Sequence, residues 1–343
     1  MYRYLRAAER AGIFTHINPD GDALGSTTGL MGFLDYAGKD SVLFLPTPVS
    51  DTLKFIIPGK YSGRIFFWND SREEELRAEI SRCDLLVGLD FNTMERIGNF
   101  GRLYHEAKSK KILIDHHVGP QTEEFDAVYS DTLVSSACEL LYRLLLEDPA
   151  LEGDIARIGP DACYSLMTGM TTDTNNFANS VFPGTLEMAS DLLRTGVDRE
   201  DIIEHILHSY PERRLRAQGY ALSELMRVTP EGVAYIILDR ATQIRFGLRE
   251  GETEGFVNMP LDIASVRLSI LLKEELDSPK IRVSLRSKKG TSARDVAMQY
   301  FHGGGHVQAS GGKLIQGEDI KDIGEAAEYI EKIARNLLTL QPR

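Results

Sequence analysis

The feature that constrains the fold most is the segment Asp84-Leu85-Leu86-Val87-Gly88-Leu89-Asp90, apolar throughout its interior and closed at both ends by an acid. A strand with one face in water alternates apolar and polar side chains. A continuous apolar run is buried on both faces, the condition of a strand inside a parallel sheet. Residues 11–15, 41–45, 64–68 and 111–114 are further apolar runs of strand length, and residues 126–129 form a candidate edge strand. Between them, residues 27–37, 73–80, 99–108, 134–146 and 154–171 read as helices, the last two on apolar periodicity. Strands alternating with helices predict an α/β fold with a doubly wound parallel sheet.

The second half changes character. Residues 184–195, 198–208 and 212–227 read as helices, so this region is expected to be a helical connection. Strands are expected over 232–238, 264–272 and 280–285, a helix over 293–300, and an amphipathic helix over 318–338. A chain of 343 residues accommodates about two domains of roughly 150 residues each. The expected division is a first domain over 1–195, a helical linker over 196–229 and a smaller α/β domain over 230–343.

Three of the predicted strands run into acids or histidines. Residues 13–15 lead into His16-Ile17-Asn18-Pro19-Asp20-Gly21-Asp22-Ala23-Leu24-Gly25-Ser26, residues 85–89 into Asp90, and residues 112–114 into Asp115-His116-His117. If these strands are neighbours, their ends converge at the carboxyl edge of the sheet, where open α/β folds bind ligands. Pro19 and Gly21 mark a sharp turn that would aim Asp20 and Asp22 into one small volume. Two carboxylates that close repel unless a cation lies between them. An imidazole beside them completes a set suited to a divalent transition metal. Taken alone, the same loop also fits an ordinary polar turn beside a strand-end histidine.

Asp90 closes a buried strand, where a charge is costly without a partner, although a loop acid just past the strand would read the same way. Asp115, His116 and His117 cannot all face one site, because successive side chains of an extended segment point to opposite sides. Asp173 sits where a long helical pattern ends. A helix C-terminus disfavours an anion, so either a cation relieves Asp173 or the helix stops earlier.

The formal net charge of −12 argues against binding long duplex nucleic acid by bulk attraction. A small anionic substrate held by metals or by a local basic pocket remains compatible. Lys280, Arg282, Arg286, Lys288, Lys289 and Arg294 form such a local reversal of sign, with no acid between them. Gly303-Gly304-Gly305 would let backbone amides approach a phosphate closely, and His306 follows directly. Cys83, Cys138 and Cys163 lie far apart with no CxxC pair, which fits a reducing cytoplasm. No signal-peptide pattern opens the chain, and no stretch approaches the roughly 20 apolar residues of a membrane span.

In this order and context, His16-x-x-x-Asp20-x-Asp22, Asp90, Asp115-His116-His117 and Asp173 resemble the DHH phosphoesterase superfamily. Ser284-Leu285-Arg286-Ser287 and the segment from His302 through Gly303-Gly304-Gly305-His306 to Gly311 resemble the associated DHHA1 domain. The likeness spans nearly the whole chain and is greatest to the nanoRNase and pAp-phosphatase group. The resemblance implies an active site in a cleft between the two domains and two divalent metal ions, usually Mn2+. His16, Asp20 and Asp90 would hold one ion. Asp22, Asp90, His116 and Asp173 would hold the other, with Asp90 bridging. His117 would face the scissile phosphate, Asp115 would orient a histidine, and Arg286, Gly303, Gly304, Gly305 and His306 would hold a nucleotide.

The implied activity is hydrolysis of short single-stranded RNA to mononucleotides, removal of the 3′-phosphate of adenosine 3′,5′-bisphosphate, or both. Two ions activate water and screen the phosphate, and His117, if protonated, would stabilise developing charge. The partner class is thus a short RNA or small nucleotide, with no membrane; a homodimer is compatible. Alternatives on the same residues are a cyclic or linear dinucleotide (c-di-AMP or pApA) phosphodiesterase and a pyrophosphatase or exopolyphosphatase-like activity. The pairing of Arg286 with the glycine run argues against a pyrophosphatase, and the complete ligand set argues against a non-catalytic sensor. Two positions depart from the family pattern: Asn175 replaces a usual glycine, and His302 stands where a fourth glycine is common.

Overall fold

The structure, a computed structural model, describes residues 1–337. They divide into two units that part between Ser209 and Tyr210, and the break falls inside the segment read as a helical connection.

In the first unit the apolar runs become β1 (Arg10–Phe14), β2 (Asp40–Leu45), β3 (Ile65–Phe67), β4 (Leu85–Leu89), β5 (Lys110–Asp115) and β6 (Ala127–Ser130). All their pairings are parallel, and the order is β3-β2-β1-β4-β5-β6. Successive residues feed opposite layers, as the pleat requires. Ile13, Leu43, Val87 and Ile112 enter one core, while Phe14, Phe44, Leu86 and Leu113 enter another. That two-sided burial is what the unbroken apolar runs required. The chain reverses direction across the sheet between β1 and β4. Their carboxyl ends flank the crevice where such sheets bind ligands.

Helices α1 (Tyr2–Ala7), α2 (Gly21–Tyr36), α3 (Glu73–Ser81), α4 (Phe100–Glu106), α5 (Ala137–Leu146), α6 (Pro160–Asp173), α7 (Pro183–Arg194) and α8 (Arg199–Leu207) complete the unit. Several bounds differ from the sequence expectation. α2 begins at Gly21 rather than at 27, because the Asp20 carboxylate accepts from the Asp22 and Ala23 amides and starts the helix there. α5 begins at 137, capped by Ser136, not at 134. The helix expected over 154–171 is a 3-10 turn, Ile155–Ile158, then a break at Gly159 (φ 90°), then α6. Asp173 is the last residue of α6, so the helix does not stop short of it.

The second unit holds α9 (Glu212–Tyr220), β7 (Arg227–Val228), β8 (Val233–Leu238), α10 (Arg240–Phe246), β9 (Leu268–Glu274), β10 (Lys280–Ser287), α11 (Ala293–Tyr300), β11 (Gly304–Gly305), β12 (Ala309–Ile315) and α12 (Ala326–Leu337). Its sheet runs β11-β12-β10-β9-β8-β7, with β8 parallel to β9 and the other pairs antiparallel. Ile281, Val283 and Leu285 alternate inward along β10. The expected helix over 212–227 is shorter, ending in one π-helical turn, Ala221–Leu225, before β7. The strand expected over 264–272 lies at β9 instead. The terminal helix starts at 326, not 318, after an Asp322-capped turn. Leu338, its expected end, lies outside the described residues. Among the described residues no helix is long and apolar enough to cross a membrane.

Candidate metal centre

The sheet order makes β1, β4 and β5 neighbours, so the segments after them meet. Asp90 follows β4 directly with φ 62°, a left-handed conformation in which aspartate is among the few tolerated non-glycine residues. It is 2 % exposed. One carboxylate oxygen, Oδ2, lies 3.4 Å from His16 Nε2, and the other, Oδ1, lies 3.4 Å from His116 Nε2. Asp90 therefore stands between two imidazoles with one oxygen toward each.

Around His16 the third group is Asp20, whose Oδ1 is 3.9 Å from Nε2. His16 Nδ1 lies 2.8 Å from the Ile17 carbonyl, an arrangement that puts the proton on Nδ1 and leaves Nε2 as a ligand atom. Around His116 the other groups are Asp22 Oδ2 and Asp173 Oδ2, each 3.9 Å from Nε2. Asp22 is held from behind: the Ala137 amide donates to Oδ2 at 2.6 Å and the Cys138 amide to Oδ1 at 3.0 Å. These are the first amides of α5, so the positive end of that helix faces the carboxylate.

Asp115 is fully buried and points back along its own chain. Its Oδ1 is 2.8 Å from His117 Nδ1, and its Oδ2 accepts from the His117 amide at 3.1 Å. His117 Nδ1 also lies 3.6 Å from Asp90 Oδ1. The two histidines do not separate to opposite sides as an extended segment would have them: β5 ends at Asp115, their rings meet at 4.7 Å, and both face Asp90 Oδ1, His116 with Asp22 and Asp173 beside it and His117 with Asp115. The sequence reading passed over Arg96, whose guanidinium donates to His117 Nε2 at 3.0 Å. No sequence signal marks it beyond its place six residues after Asp90.

Charge and burial are in conflict here. Burial alone would lower the His16 pKa, but the Asp90 and Asp20 carboxylates overcome it and raise it to about 9. For His116 burial again opposes, and Asp90, Asp173 and Asp22 raise it to about 10. Asp90 itself is driven up by burial, yet His116 and His16 hold it well below the usual carboxylate range. Burial and the Asp90 charge push Asp22 up. Burial and the Asp22 charge push Asp173 well up; although 31 % of its side chain still meets solvent, the direction follows from like charges crowded together.

His16 Nε2 and Asp90 Oδ1 are buried and make no hydrogen bond among the described residues. Orphaned polar atoms of this kind call for a missing partner. The groups His16, Asp20, Asp90 and Asp22, Asp90, His116 each offer ligand atoms within 4.8 Å of one another. Nitrogen and oxygen ligands about 2.0–2.2 Å from a common ion stand about 3–3.5 Å apart, close to the separations seen here. The residues fit divalent metal on chemistry, spacing and unmet valence alike.

In the second unit Arg286 lies on the face of β10 opposite the core, and its guanidinium donates to the Leu285 carbonyl at 2.9 Å. Burial lowers its pKa from the usual arginine value, with the charge of Glu254 opposing. Two of the other basic residues near it have structural partners: Arg282 pairs with Glu250 at 2.8 Å, and Lys288 donates to the Ile263 carbonyl at 2.8 Å. The glycine run is not an open loop. Gly304 and Gly305 form β11 against β12, a strand that the sequence reading missed because its glycines hide the alternation. A side chain on Gly303 would collide with the Gly311 carbonyl, so this glycine is required by the hairpin itself. His306 closes the turn, its amide donating to the Ala309 carbonyl at 2.9 Å. Both departures from the family pattern adopt the conformation that glycine supplies: Asn175 has φ 47° and His302 has φ 47°.

Residues 10–170 match the DHH family, N-terminal domain, and residues 232–333 match the DHHA1 domain. A probable bifunctional oligoribonuclease and PAP phosphatase NrnA of Streptococcus mutans is 28 % identical, covering 92 % of this chain and 94 % of that protein. The bifunctional oligoribonuclease and PAP phosphatase NrnA of Bacillus subtilis is 26 % identical, covering 87 % of each. The crystal structure of an exopolyphosphatase-related protein from Bacteroides fragilis superposes with a TM-score of 0.86 at 33 % identity, covering 98 % of this chain and 96 % of that one.

Proposed function

Because this chain belongs to the DHH family of phosphoesterases and is a hydrolase, we propose that it hydrolyses short oligoribonucleotides to mononucleotides and removes the 3′-phosphate of adenosine 3′,5′-bisphosphate. The observation that carries this reading is Asp90, buried between His16 and His116 with one oxygen toward each. The names of the relatives from Streptococcus mutans and Bacillus subtilis supply the substrate class.

His16, Asp20 and Asp90 would hold one divalent ion, and Asp22, Asp90, His116 and Asp173 a second. Mn2+ suits this mixed carboxylate and imidazole set. When bound, such a pair supplies a water acidic enough to attack at neutral pH and a positive field for the phosphate oxygens. The chain's own residues do the rest. The Ile17 carbonyl fixes which nitrogen His16 presents. The two α5 amides keep Asp22 from turning away. Asp115 fixes the ring plane of His117, which faces the scissile phosphate. Arg286 and His306 grip the nucleotide, with Gly303, Gly304 and Gly305 allowing close backbone approach. A cytoplasmic location accords with three free, buried cysteines.

The test is a panel of pAp, pApA, RNA of two to five nucleotides (on the order of the shortest single-strand sites) and pyrophosphate, run on manganese-loaded protein with product identification. AMP from pAp and mononucleotides from RNA are expected. Turnover confined to pyrophosphate or to the linear dinucleotide pApA would replace this reading.

A further inference from the structure

Arg96 is placed by three separate ties. It sits in the 3-10 turn Met94–Ile97, and its carbonyl accepts from the Ile17 amide at 2.7 Å, locking it to the loop that carries His16. The segment just before it is sewn to the loop after β5. Gln121 donates from its amide to the Asn92 carbonyl at 2.8 Å, Asn92 Nδ2 donates to the Val118 carbonyl at 2.9 Å, and the Met94 amide donates to Gln121 Oε1 at 2.9 Å. The guanidinium is therefore held at a fixed corner of the metal centre rather than draped over it.

Its partner is unusual. Asp20, Asp22, Asp90, Asp115 and Asp173 all lie in this centre, yet no carboxylate among the described residues is within ion-pair distance of Arg96. Arg64, by contrast, forms a two-pronged pair with Asp35 at 2.6 and 2.8 Å. Arg96 instead gives one N–H to His117 Nε2 at 3.0 Å. A guanidinium has no acceptor, so Nε2 must be the accepting nitrogen, and the ring proton lies on Nδ1 at Asp115. In the series Asp115, His117, Arg96 the imidazole is a neutral bridge and the positive charge sits on the arginine. A planar fork of donors with no carboxylate on it is complementary to a phosphate.

We propose that Arg96 binds the scissile phosphate, giving N–H bonds to a non-bridging oxygen and supplying the positive charge that the sequence reading assigned to a protonated His117. This rests on the phosphoester reading of the same site. His117 then serves to aim the guanidinium, with Asp115 behind it.

The test has two arms. In the first, kcat and KM for pAp and a ribodinucleotide are measured for wild type, Arg96→Ala and Arg96→Lys with metal content determined on each. Arg96→Ala should lose about 100- to 1000-fold in kcat/KM, as expected for one donor to a developing oxyanion, at unchanged metal content. Added guanidinium ion should restore at least about tenfold, as the return of a charge-assisted hydrogen bond requires, and ammonium ion should not. Arg96→Lys should stay well below wild type because a point charge does not replace the fork. Loss of metal alongside activity, or no response to guanidinium, would overturn the proposal. In the second arm, binding of inorganic phosphate to the manganese-loaded protein is measured by calorimetry. Weakening of roughly tenfold or more in Arg96→Ala is expected, the size of one charged hydrogen bond, and unchanged affinity would overturn the proposal. Should wild type turn over no nucleotide, the substrate reading fails, while the phosphate arm still decides Arg96.

Discussion

Asp90 combines a left-handed backbone, near-complete burial and two imidazole neighbours. Each is unfavourable or unusual alone, and such outliers gather where function over-determines them. Asn tolerates the same backbone and keeps the shape while losing the charge. Asp90→Asn should therefore remain folded, lose bound metal and lose at least about 1000-fold in kcat, on the scale of removing a principal electrostatic group. Metal content by atomic emission and a thermal melt on the same sample check this; a fully metallated, inactive variant would place Asp90 in chemistry alone. The protonation state of the metal-free centre carries a second prediction. His16 and His116 titrate near 9 and near 10 in the folded chain against 6.5 when unfolded. Their protons favour the fold fully below pH 6.5, and that contribution disappears as pH climbs through 9 to 10. The raised carboxyl of Asp22 acts in the same direction, because the folded chain keeps a proton that the unfolded chain has released. The lowered Asp90 acts oppositely, but only in acid. Chelator-treated protein should lose thermal stability between about pH 7 and 10, and metal affinity should rise over that range because each ion displaces those protons. Melts with and without chelator test both, and a flat metal-free curve would contradict the titration.

Two helices frame the site, and their approach is set by small residues. A methyl group on Gly25 of α2 would lie 2.7 Å from Gly169 Cα and 2.7 Å from the Ser165 carbonyl of α6. Both are backbone atoms, which cannot swing aside. At Gly29 the nearest atom is Leu166 Cδ2 at 3.1 Å, the end of a flexible side chain. Gly25→Ala should cost about 1–3 kcal/mol or more through forced separation of the helices. It should also weaken metal binding, since α2 carries Asp22 and α6 carries Asp173. Gly29→Ala should be near neutral, because the better helix propensity of alanine, about 1 kcal/mol, offsets the tight contact. Denaturant unfolding and metal titration of the pair separate the two cases. The third helix matters through its end: Ser136 caps α5 by accepting from the Glu139 amide at 3.1 Å, and that cap aims the two amides that hold Asp22.

Over the whole chain, the proposed chemistry and the proposed grip fall to different units, each with its own core. The residues that would hold metal all belong to the first, and Arg286 belongs to the second. Arg286→Ala should raise KM for pAp by about tenfold or more, as loss of a charged hydrogen bond implies. It should leave metal content unchanged and lower kcat less than kcat/KM. Steady-state kinetics at fixed manganese measure this split, and a fall in kcat at constant KM would move Arg286 into the chemical step.

The strand positions of the first sheet, its parallel pairing and the residues gathered around Asp90 were readable in the linear chain because they are local: an apolar run, its polar end and the turn residues after it lie within a dozen positions, as in the segment from Ala11 to Asp22. Order across the sheet is not local. β1 lies beside β4, with Ile13 in register with Val87, and hydrogen bonding between strands so distant in the chain depends on how the intervening helices pack. The same holds for Asp22, whose two amide partners come from α5, and for Arg96, which matters only because His117 arrives from another strand. The hairpin of β11 and β12 stayed hidden because glycines selected for close backbone approach carry no hydrophobic alternation to reveal a strand. Composition and motif thus specify which groups are present at each strand end; cross-chain hydrogen bonds and helix contact distances specify where those groups point.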